Sequence, residues 1–574
     1  MHDLFLDTRD LTLDRFVPDW PSIFPRPATV RILIVYEEPL VSPGPPGSGF
    51  SLGRVVSYLR NESFGFVNFV VDFASHGADP SPTAVIENAS PGDWGARYDN
   101  FRFHSLKDGS PIIDDYDQVW CFGEYPFIHN DGTNDAVEDS PYSAAADEMA
   151  VMSAWMDAGG GVLAMGDHNF LGSAMAWNMP RVGTMRAWRK DAAEDGRSVP
   201  NRTGTDRHDT NRPQNAAQDP TQTVNPSIIP NSAEQDTVTQ PLEWKRYHVF
   251  SPWVFQRSQR PHPVLCGGNL GVIDRFPDHP HEGLVVDPSL IDFDAKCQHD
   301  PGKDEYPTVG GVQPKPEVIA WVNTLPSPPY RLEKLDQPAR RIGAIGVYDG
   351  HAIDHGRVVV DSTWHHWFDL NIAALESADT DDFKKIKRYF QNTAIWLSRK
   401  SQQQAMLNYA AFWTVLTNSA IEELSVGTSI WTLATSAIDI LGRATSDCLV
   451  HSWLIDRLPI PIFELEFWPR PLPDPCWSCP PIDLFTHAVM GSVIQELLPH
   501  RDAMMKAAGS GDCKIRFDPE IVGKAVDKGV NEGLRLALKT IEDNRGPLDK
   551  SARAVEKALA CGKREATAHE KSAG

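Results

Sequence analysis

From residue 29 onward this chain alternates short, β-branched apolar runs with breaker-rich loops and stretches of helical spacing, and that alternation narrows its fold more than any other feature. TVRILIVYEE (29–38) has a strand pattern, SPGPPGSGF supplies a loop, and SLGRVVSYLR places Leu52, Val55, Val56 and Leu59 three and four apart. The strand signal returns in FVNFVVDFAS (66–75) and YDQVWCFGEYP (116–126). An amphipathic helix is expected over SAAADEMAVMSAWMDAG (143–159), and a Gly-led buried strand over GGVLAMGDHN (160–169). RRIGAIGVYDG (340–350) and GRVVVDSTWHHWFDL (356–370) read as two further strands, followed by a helix near 380–399. This order predicts an α/β fold with a doubly wound, mostly parallel sheet, in which ligands sit beyond the carboxyl ends of the strands.

Residues 1–28 precede the pattern as an N-terminal extension, so the α/β domain is expected over 29–400. An insertion at about 190–240 is rich in Asn, Gln, Thr, Asp and Pro. It reads either as a surface excursion or as a lid over the sheet edge. After Ser401 the apolar residues fall at three-to-four spacing through SQQQAMLNYAAFWTVLTNSAIEEL and later segments, which predicts a mainly helical domain over 401–574. A proline-rich connector at about 459–482 interrupts it, and the charged, Ala-rich end is expected to fray.

Composition limits the partners. With 54 Lys+Arg against 77 Asp+Glu the formal charge is −23, opposite to what coating a phosphate backbone requires, so no nucleic-acid partner is expected. The longest apolar stretch, around 427–441, is broken by Thr, Ser and Asp and falls short of the ~20 residues that span a bilayer. No membrane partner is expected either. The first residues show no secretory leader, and eight scattered cysteines do not form a small disulfide framework, so the expected compartment is the cytoplasm. A Walker A loop, a strand followed by GxGxxG, and HExxH are all absent from the sequence.

Three constellations could carry chemistry. Asp167 and His168 follow the strand VLAM, where such folds place active groups, although Asp167 could equally cap the next segment. His365 and His366 follow the buried strand RVVVD; on an extended chain neighbours alternate faces, so one of the two would enter a pocket. Glu124, at the end of VWCFG, is a candidate acid, base or ligand, whereas Cys121 in the same run reads as a buried small hydrophobe. His279, His281 and Glu282 form a third group. Two imidazoles two residues apart share a face of an extended segment, as ligands of a divalent metal such as iron or zinc would, with His168, His365 or Glu124 completing the set. His351 and His355 read as loop polar contacts. Cys476 and Cys479 form CWSC without the second pair that a zinc ribbon needs.

The order of these pieces resembles the class I glutamine-amidotransferase-like fold and, within it, the trehalose-utilisation (ThuA-like) proteins. RILIVYEE, YDQVWCFGE, MDAGGGVLAMGDH, HPVLCGG and GRVVVDSTWHH carry the likeness, over about two-thirds of the chain. The resemblance implies a flavodoxin-like sheet. It also aligns the amidotransferase elbow Gly-x-Cys-x-Gly with MGDHN, where Asp167 stands in the cysteine's place, and puts the family's histidine at His365 or His366. Some relatives of this fold are iron-dependent amidases, which keeps a metal among the candidate cofactors.

Three functions follow as expectations. One is a hydrolase acting on a small polar or carbohydrate-like substrate through Glu124, Asp167, His168, His365 and His366, with or without a metal. A second is non-catalytic small-molecule binding in the same cleft. The third is a scaffold or assembly role, with the helical domain as the interface to a protein partner or to a second copy in a homo-oligomer.

Overall fold

The computed structural model describes residues 27–38, 41–47, 49–62, 65–125, 141–166, 171–188, 239–251, 256–277, 283–323, 341–417, 428–444, 446–456, 482–503 and 520–543. Asp167, His168, His279, His281 and Glu282 lie outside them, as do most of the 190–240 insertion, the 459–481 connector and both chain ends.

The principal sheet has ten strands: β1 (Ala28–Tyr36), β2 (Val67–His76), β3 (Ile86–Glu87), β4 (Ala96–Phe101), β5 (Gln118–Phe122), β6 (Gly161–Met165), β7 (Glu243–Trp244), β8 (Glu317–Asn323), β9 (Arg341–Tyr348) and β10 (Val358–Asp361). Their spatial order is β7-β8-β9-β10-β6-β5-β1-β2-β4-β3. The six strands from β10 to β4 are mutually parallel, whereas β7, β8 and β9 add antiparallel pairings on one side and β3 adds one on the other. The sheet is therefore mixed but mostly parallel.

Helices cover both faces of the sheet. α1 (Gly53–Asn61) links β1 to β2, and α2 (Ala146–Asp157) links β5 to β6. On one face Leu33, Val35, Val119, Cys121, Val162 and Ala164 pack with Met149, Met152, Trp155 and Met156 of α2. The alternate residues Trp120 and Phe122 point the other way, onto Trp367, with ring centroids 5.5 and 6.4 Å apart. Trp367 in turn meets Tyr389 and Phe390 of a helix that follows α3 (Asp369–Ala378), namely α4 (Asp381–Trp396). Because both faces are covered, β5, β6 and β10 are buried at every position, which is why they read as unbroken apolar runs.

Local chemistry sets the helix ends. Thr380 caps α4 by accepting the Phe383 N–H at 3.2 Å, and Asp381 and Asp382 complement the dipole in its first turn. The α2 start is held by Glu148, whose carboxylate accepts the Ala145 N–H at 2.9 Å, and the chain leaves α2 through Gly159 at φ 96°.

Beyond these come α5 (Lys400–Thr417), α6 (Ile430–Ala444), α7 (Asp447–Ile455), α8 (Ile482–Leu497) and α9 (520–543). The chain forms two compact units. The first holds residues 1–249, 257–410 and 439–480, and the second holds 250–256, 411–438 and 481–574. α7 thus belongs to the α/β unit. Its Trp453 packs on Phe66, with centroids 5.1 Å apart, and the adjoining Asp456 accepts from Arg357 at 3.1 Å. In the second unit α8 and α9 meet through small residues: a Cβ at Gly529 would lie 2.5 Å from the Val493 Cα, and one at Gly533 would lie 2.5 Å from the Val489 Cα. Among the described residues no helix is long and apolar enough to cross a membrane.

Candidate functional site at the carboxyl edge of the sheet

Strand register brings the carboxyl ends of the parallel strands into one row. Tyr36 stands opposite Phe122, Phe122 opposite Met165, and Val360 opposite Ala164, so the residues that follow all emerge on one edge. Those residues are Glu37 after β1, Gly123 and Glu124 after β5, Gly166 after β6, and Asp361 to His366 at the end of β10; His76 ends β2. From β1 the chain runs outward to β2 and β4, then returns to β5 on the other side of β1. The β1–β5 gap is consequently a topological switch point, where α/β sheets open a crevice.

At the β10 end, the buried Asp361 carboxylate receives four donors. They are His366 Nδ1 at 2.7 Å, Trp367 Nε1 at 3.0 Å, the Tyr389 hydroxyl at 3.0 Å and the Thr363 N–H at 3.3 Å. A carboxylate only accepts, so Nδ1 of His366 carries the proton it donates, and in the tautomer this fixes the ring's lone pair belongs to Nε2. That Nε2 is buried and has no hydrogen-bond partner among the described residues. Phe276 lies against the ring, with centroids 4.1 Å apart. Burial, reinforced by the Asp361 charge, holds the Tyr389 phenol far above its usual range, so it stays a donor.

The expectation that strand alternation separates His365 from His366 is corrected here. Trp364–His366 is a single 3-10 turn capped by Thr363, whose hydroxyl accepts the His365 N–H at 3.1 Å. The turn sends the two rings to different partners. His365 Nδ1 meets Asn371 Oδ1 at 3.2 Å and its ring packs on Phe50, 5.8 Å between centroids. Asp369, two residues before Asn371, anchors the loop that follows β1 by accepting from the Gly47 N–H, the Ser51 hydroxyl and the Arg54 N–H at 2.7–2.8 Å. His365 is built into that wall, and His366 is the ring with a nitrogen to spare.

The flanks of two other constellations reach the same place. Gly166, which precedes 167–170, accepts the Trp364 N–H at 3.0 Å. Gly283, which follows 278–282, lies so close to the Ser362 carbonyl that a Cβ there would be 1.6 Å from its oxygen. Arg186 fixes the turn from below by donating to the carbonyls of Asp361 at 3.1 Å and Ser362 at 2.7 Å.

A second carboxylate–imidazole couple occupies the switch point. Glu37 Oε1 meets His76 Nδ1 at 2.9 Å, while Glu37 Oε2 accepts the N–H groups of Glu124 and Tyr125, both at 2.6 Å. Glu37 and His76 are buried, and His76 Nε2 also has no hydrogen-bond partner among the described residues. Glu124 is thus attached through its backbone to the Glu37–His76 couple. Beside that couple the Arg102 guanidinium pairs with Glu148 and donates to the carbonyls of Gly77, Pro141 and Ser143 at 2.7–3.0 Å. Burial alone would raise the Glu148 carboxyl, but His104 and Arg102 outweigh it and hold the group at about 2. His104, 3.8 Å from both Glu148 and Asp147, is raised by the Glu148 and Asp147 carboxylates.

The structure therefore places Glu124 and His366 on one edge but in different clusters. β5 and β10 are two strand spacings apart, about 10 Å at ~4.8 Å each. Glu37 and His76 are the polar residues that sequence reasoning left out of the site, and Asp361 opens the run that carries His365 and His366 without having been given a role; each ends or follows a strand that it had recognised. No group of three or more His, Cys, Asp or Glu among the described residues is arranged to hold a metal ion. His351 and His355 make polar contacts, with Asp456 at 3.1 Å and Asp157 at 3.4 Å, and His351 is buried. No protein-family model, no curated protein and no solved structure matches this chain.

Proposed function

We propose that the α/β unit is a flavodoxin-like, doubly wound domain of the amidotransferase-like, ThuA-like kind, and that it hydrolyses a small polar or carbohydrate-like substrate with water, not cysteine, as the nucleophile. One observation carries this reading: a buried Asp361–His366 couple at the carboxyl edge of parallel strands, with Nε2 unpartnered. Asp361 fixes the tautomer and orientation of the ring and stabilises the imidazolium that forms when Nε2 takes a proton from water. Cys121, the cysteine on these strands, is unsuited to the role of nucleophile. Burial, with the Glu37 charge adding, pushes its thiol far above the usual range, so it holds its proton. At the aligned elbow the chain carries Asp167, which supplies no thiol.

The test is hydrolysis of a panel of chromogenic esters, amides and glycosides by the full chain. With the substrate class that turns over, His366→Gln is expected to lower kcat/KM by about 10²–10⁴-fold, the usual worth of a positioned base, with an unchanged circular-dichroism spectrum. Wild-type turnover in that variant would remove His366 from the mechanism.

A further inference from the structure

Arg181, in the segment between β6 and β7, is 2 % exposed and sits at φ 65°, an uncommon conformation for a residue with a Cβ. Its N–H donates to the buried Glu305 carboxyl at 2.5 Å, and the same oxygen accepts from the Thr184 hydroxyl at 3.1 Å. The guanidinium is engaged through one nitrogen. Nη1 donates to Oδ1 of Asp157, the last residue of α2, at 2.7 Å and meets His355 Nδ1 at 3.5 Å. Nε and Nη2, which share the other edge of the guanidinium, are buried and have no hydrogen-bond partner among the described residues. The Tyr348 hydroxyl is likewise buried without a partner among them, and its ring centroid lies 5.8 Å from the Arg181 Cζ.

These groups stand at the amino edge of the parallel strands. Tyr348 ends β9 opposite Val358, the first residue of β10, whereas Asp361 and His366 lie at the far end of that strand. Lys303 closes the cluster on the solvent side, with Nζ 2.5 Å from Asp157 Oδ2 and 2.7 Å from the Ser153 hydroxyl; Lys303, Asp157 and His355 are all partly exposed.

We propose that Arg181, Tyr348 and Lys303 form a binding site for a small, singly charged carboxylate, distinct from the Asp361–His366 couple. The two carboxylate oxygens take the Nε–H and an Nη2–H side by side, the Tyr348 hydroxyl donates to one of them, and Lys303 faces the anion from the mouth of the site.

Donor count and charge both lead to this ligand. A guanidinium has five N–H donors, and Asp157 and His355 can take the two on Nη1, which leaves three in a buried position where unmade hydrogen bonds are costly. The Nε and Nη2 donors are parallel, the fork that a planar carboxylate fits with two oxygens. Burial would raise the Asp157 carboxyl, but Arg181 and Lys303 outweigh it and hold it below the usual range, so this one carboxylate serves two cations. Glu305 offsets little of that charge, because burial pushes its carboxyl up toward the neutral acid. Burial, with the Arg181 and Lys303 charges, keeps His355 below its usual range against the pull of Asp157, so its ring adds no third cation at neutral pH. One negative charge therefore balances the cluster. A water would accept hydrogen bonds without supplying that charge, and a dianion would bring one charge too many into a site where desolvating charge is expensive. Burial also pushes the Tyr348 phenol up to about 12 in spite of Arg181, which keeps it a donor.

The experiment adds sodium acetate, propionate or glycolate to the full-length chain at pH 7.5, with sodium phosphate and sulfate as contrasts and ionic strength held constant with sodium chloride. Thermal midpoints are read for all five anions, and saturation-transfer NMR for the carboxylates. At least one carboxylate is expected to saturate with a Kd on the order of 1 mM and to raise the midpoint as its concentration rises. Arg181→Lys keeps the charge but loses the fork, and should weaken binding at least about tenfold. Tyr348→Phe removes a hydrogen bond to a charged group and should weaken it by about 10–100-fold. Where Arg181→Lys folds poorly, Tyr348→Phe carries the test, since it leaves the buried ring in place. Saturation by none of the three carboxylates, phosphate or sulfate binding as tightly as they do, or unchanged carboxylate binding in Tyr348→Phe would overturn the proposal.

Discussion

Four donors fill the acceptor capacity of the Asp361 carboxylate, so a change there reaches His366, Trp367 and Tyr389 together. Asp361→Asn keeps the volume but turns one acceptor into an amide that faces other donors. A loss of about 2–4 kcal/mol is expected, read as a lower urea midpoint, whereas His366→Gln should cost less, because it removes one of the four donors to the carboxylate and Nε2 gives up no bond. Glu148 gives a pH test. Its folded-state pKa, about 2, lies below the ordinary 4.5, so the stability it contributes is fully present above pH ~4.5 and is lost as pH falls toward 2. Glu148→Gln should therefore lower the melting temperature at pH 7, by the equivalent of about 3–5 kcal/mol for a buried guanidinium left without its partner. It should also flatten the acid limb between pH 4.5 and 2; an acid limb as steep as that of the wild type would contradict the assignment. Glu37 and His76 were legible as polar residues closing apolar strands. Their pairing was not, because 39 residues of chain separate them and only the parallel register of β1 with β2 brings them together.

At the scale of elements, a strand in a covered sheet announces itself by a short, mostly apolar run, and β1, β2, β5, β6, β9 and β10 all fall where that pattern puts them. Direction was not legible. β9 is as apolar as its neighbours yet runs antiparallel to β10, since composition reports burial and not which way the chain enters. The turn at Trp364–His366 was hidden for a related reason: an apolar, aromatic run after a strand does not show where the pleat stops. α9 offers a decisive pair of substitutions. Ala gains up to about 1 kcal/mol over Gly in a helix, but overpacking costs about 1–3 kcal/mol. A Cβ at Gly533 would stand 2.6 Å from the Ala488 carbonyl oxygen, whereas one at Gly523 would meet nothing within 4 Å. Gly533→Ala should thus lower the thermal midpoint and Gly523→Ala should hold or raise it; equal effects would mean that α8 and α9 are not in backbone contact through these glycines.

At the scale of the whole molecule, the stretch that sequence character assigns to the helical part contains α7, which the structure groups with the sheet. Its contribution is a buried charge cluster as well as apolar area. Arg357, at the start of β10, donates to Asp349 at 2.8 Å, to Asp456 at 3.1 Å and to Gln403 at 3.1 Å, and Asp456 also holds His351. Burial would raise the Asp456 carboxyl, but Arg357 and His351 outweigh it and keep it below the usual carboxylate range. Periodicity could not expose this, because an aspartate at the end of an apolar helix looks the same whether it meets water or an arginine 99 residues away in sequence. A fragment ending at residue 400, where the change of composition suggests a border, lacks Gln403, Trp453 and Asp456. It leaves Arg357 buried with Asp349 as its remaining carboxylate. Such a fragment is expected to be insoluble or molten, with near-ultraviolet circular dichroism lost. In the full chain Asp456→Asn should cost about 3–5 kcal/mol, the usual result of removing one partner of a buried ion pair. A soluble 27–400 fragment with a sharp thermal transition would show that α7 is dispensable to the sheet. Failure of the fragment together with a destabilised Asp456→Asn chain places the Arg357–Asp456 pair among the contacts that hold the α/β unit closed.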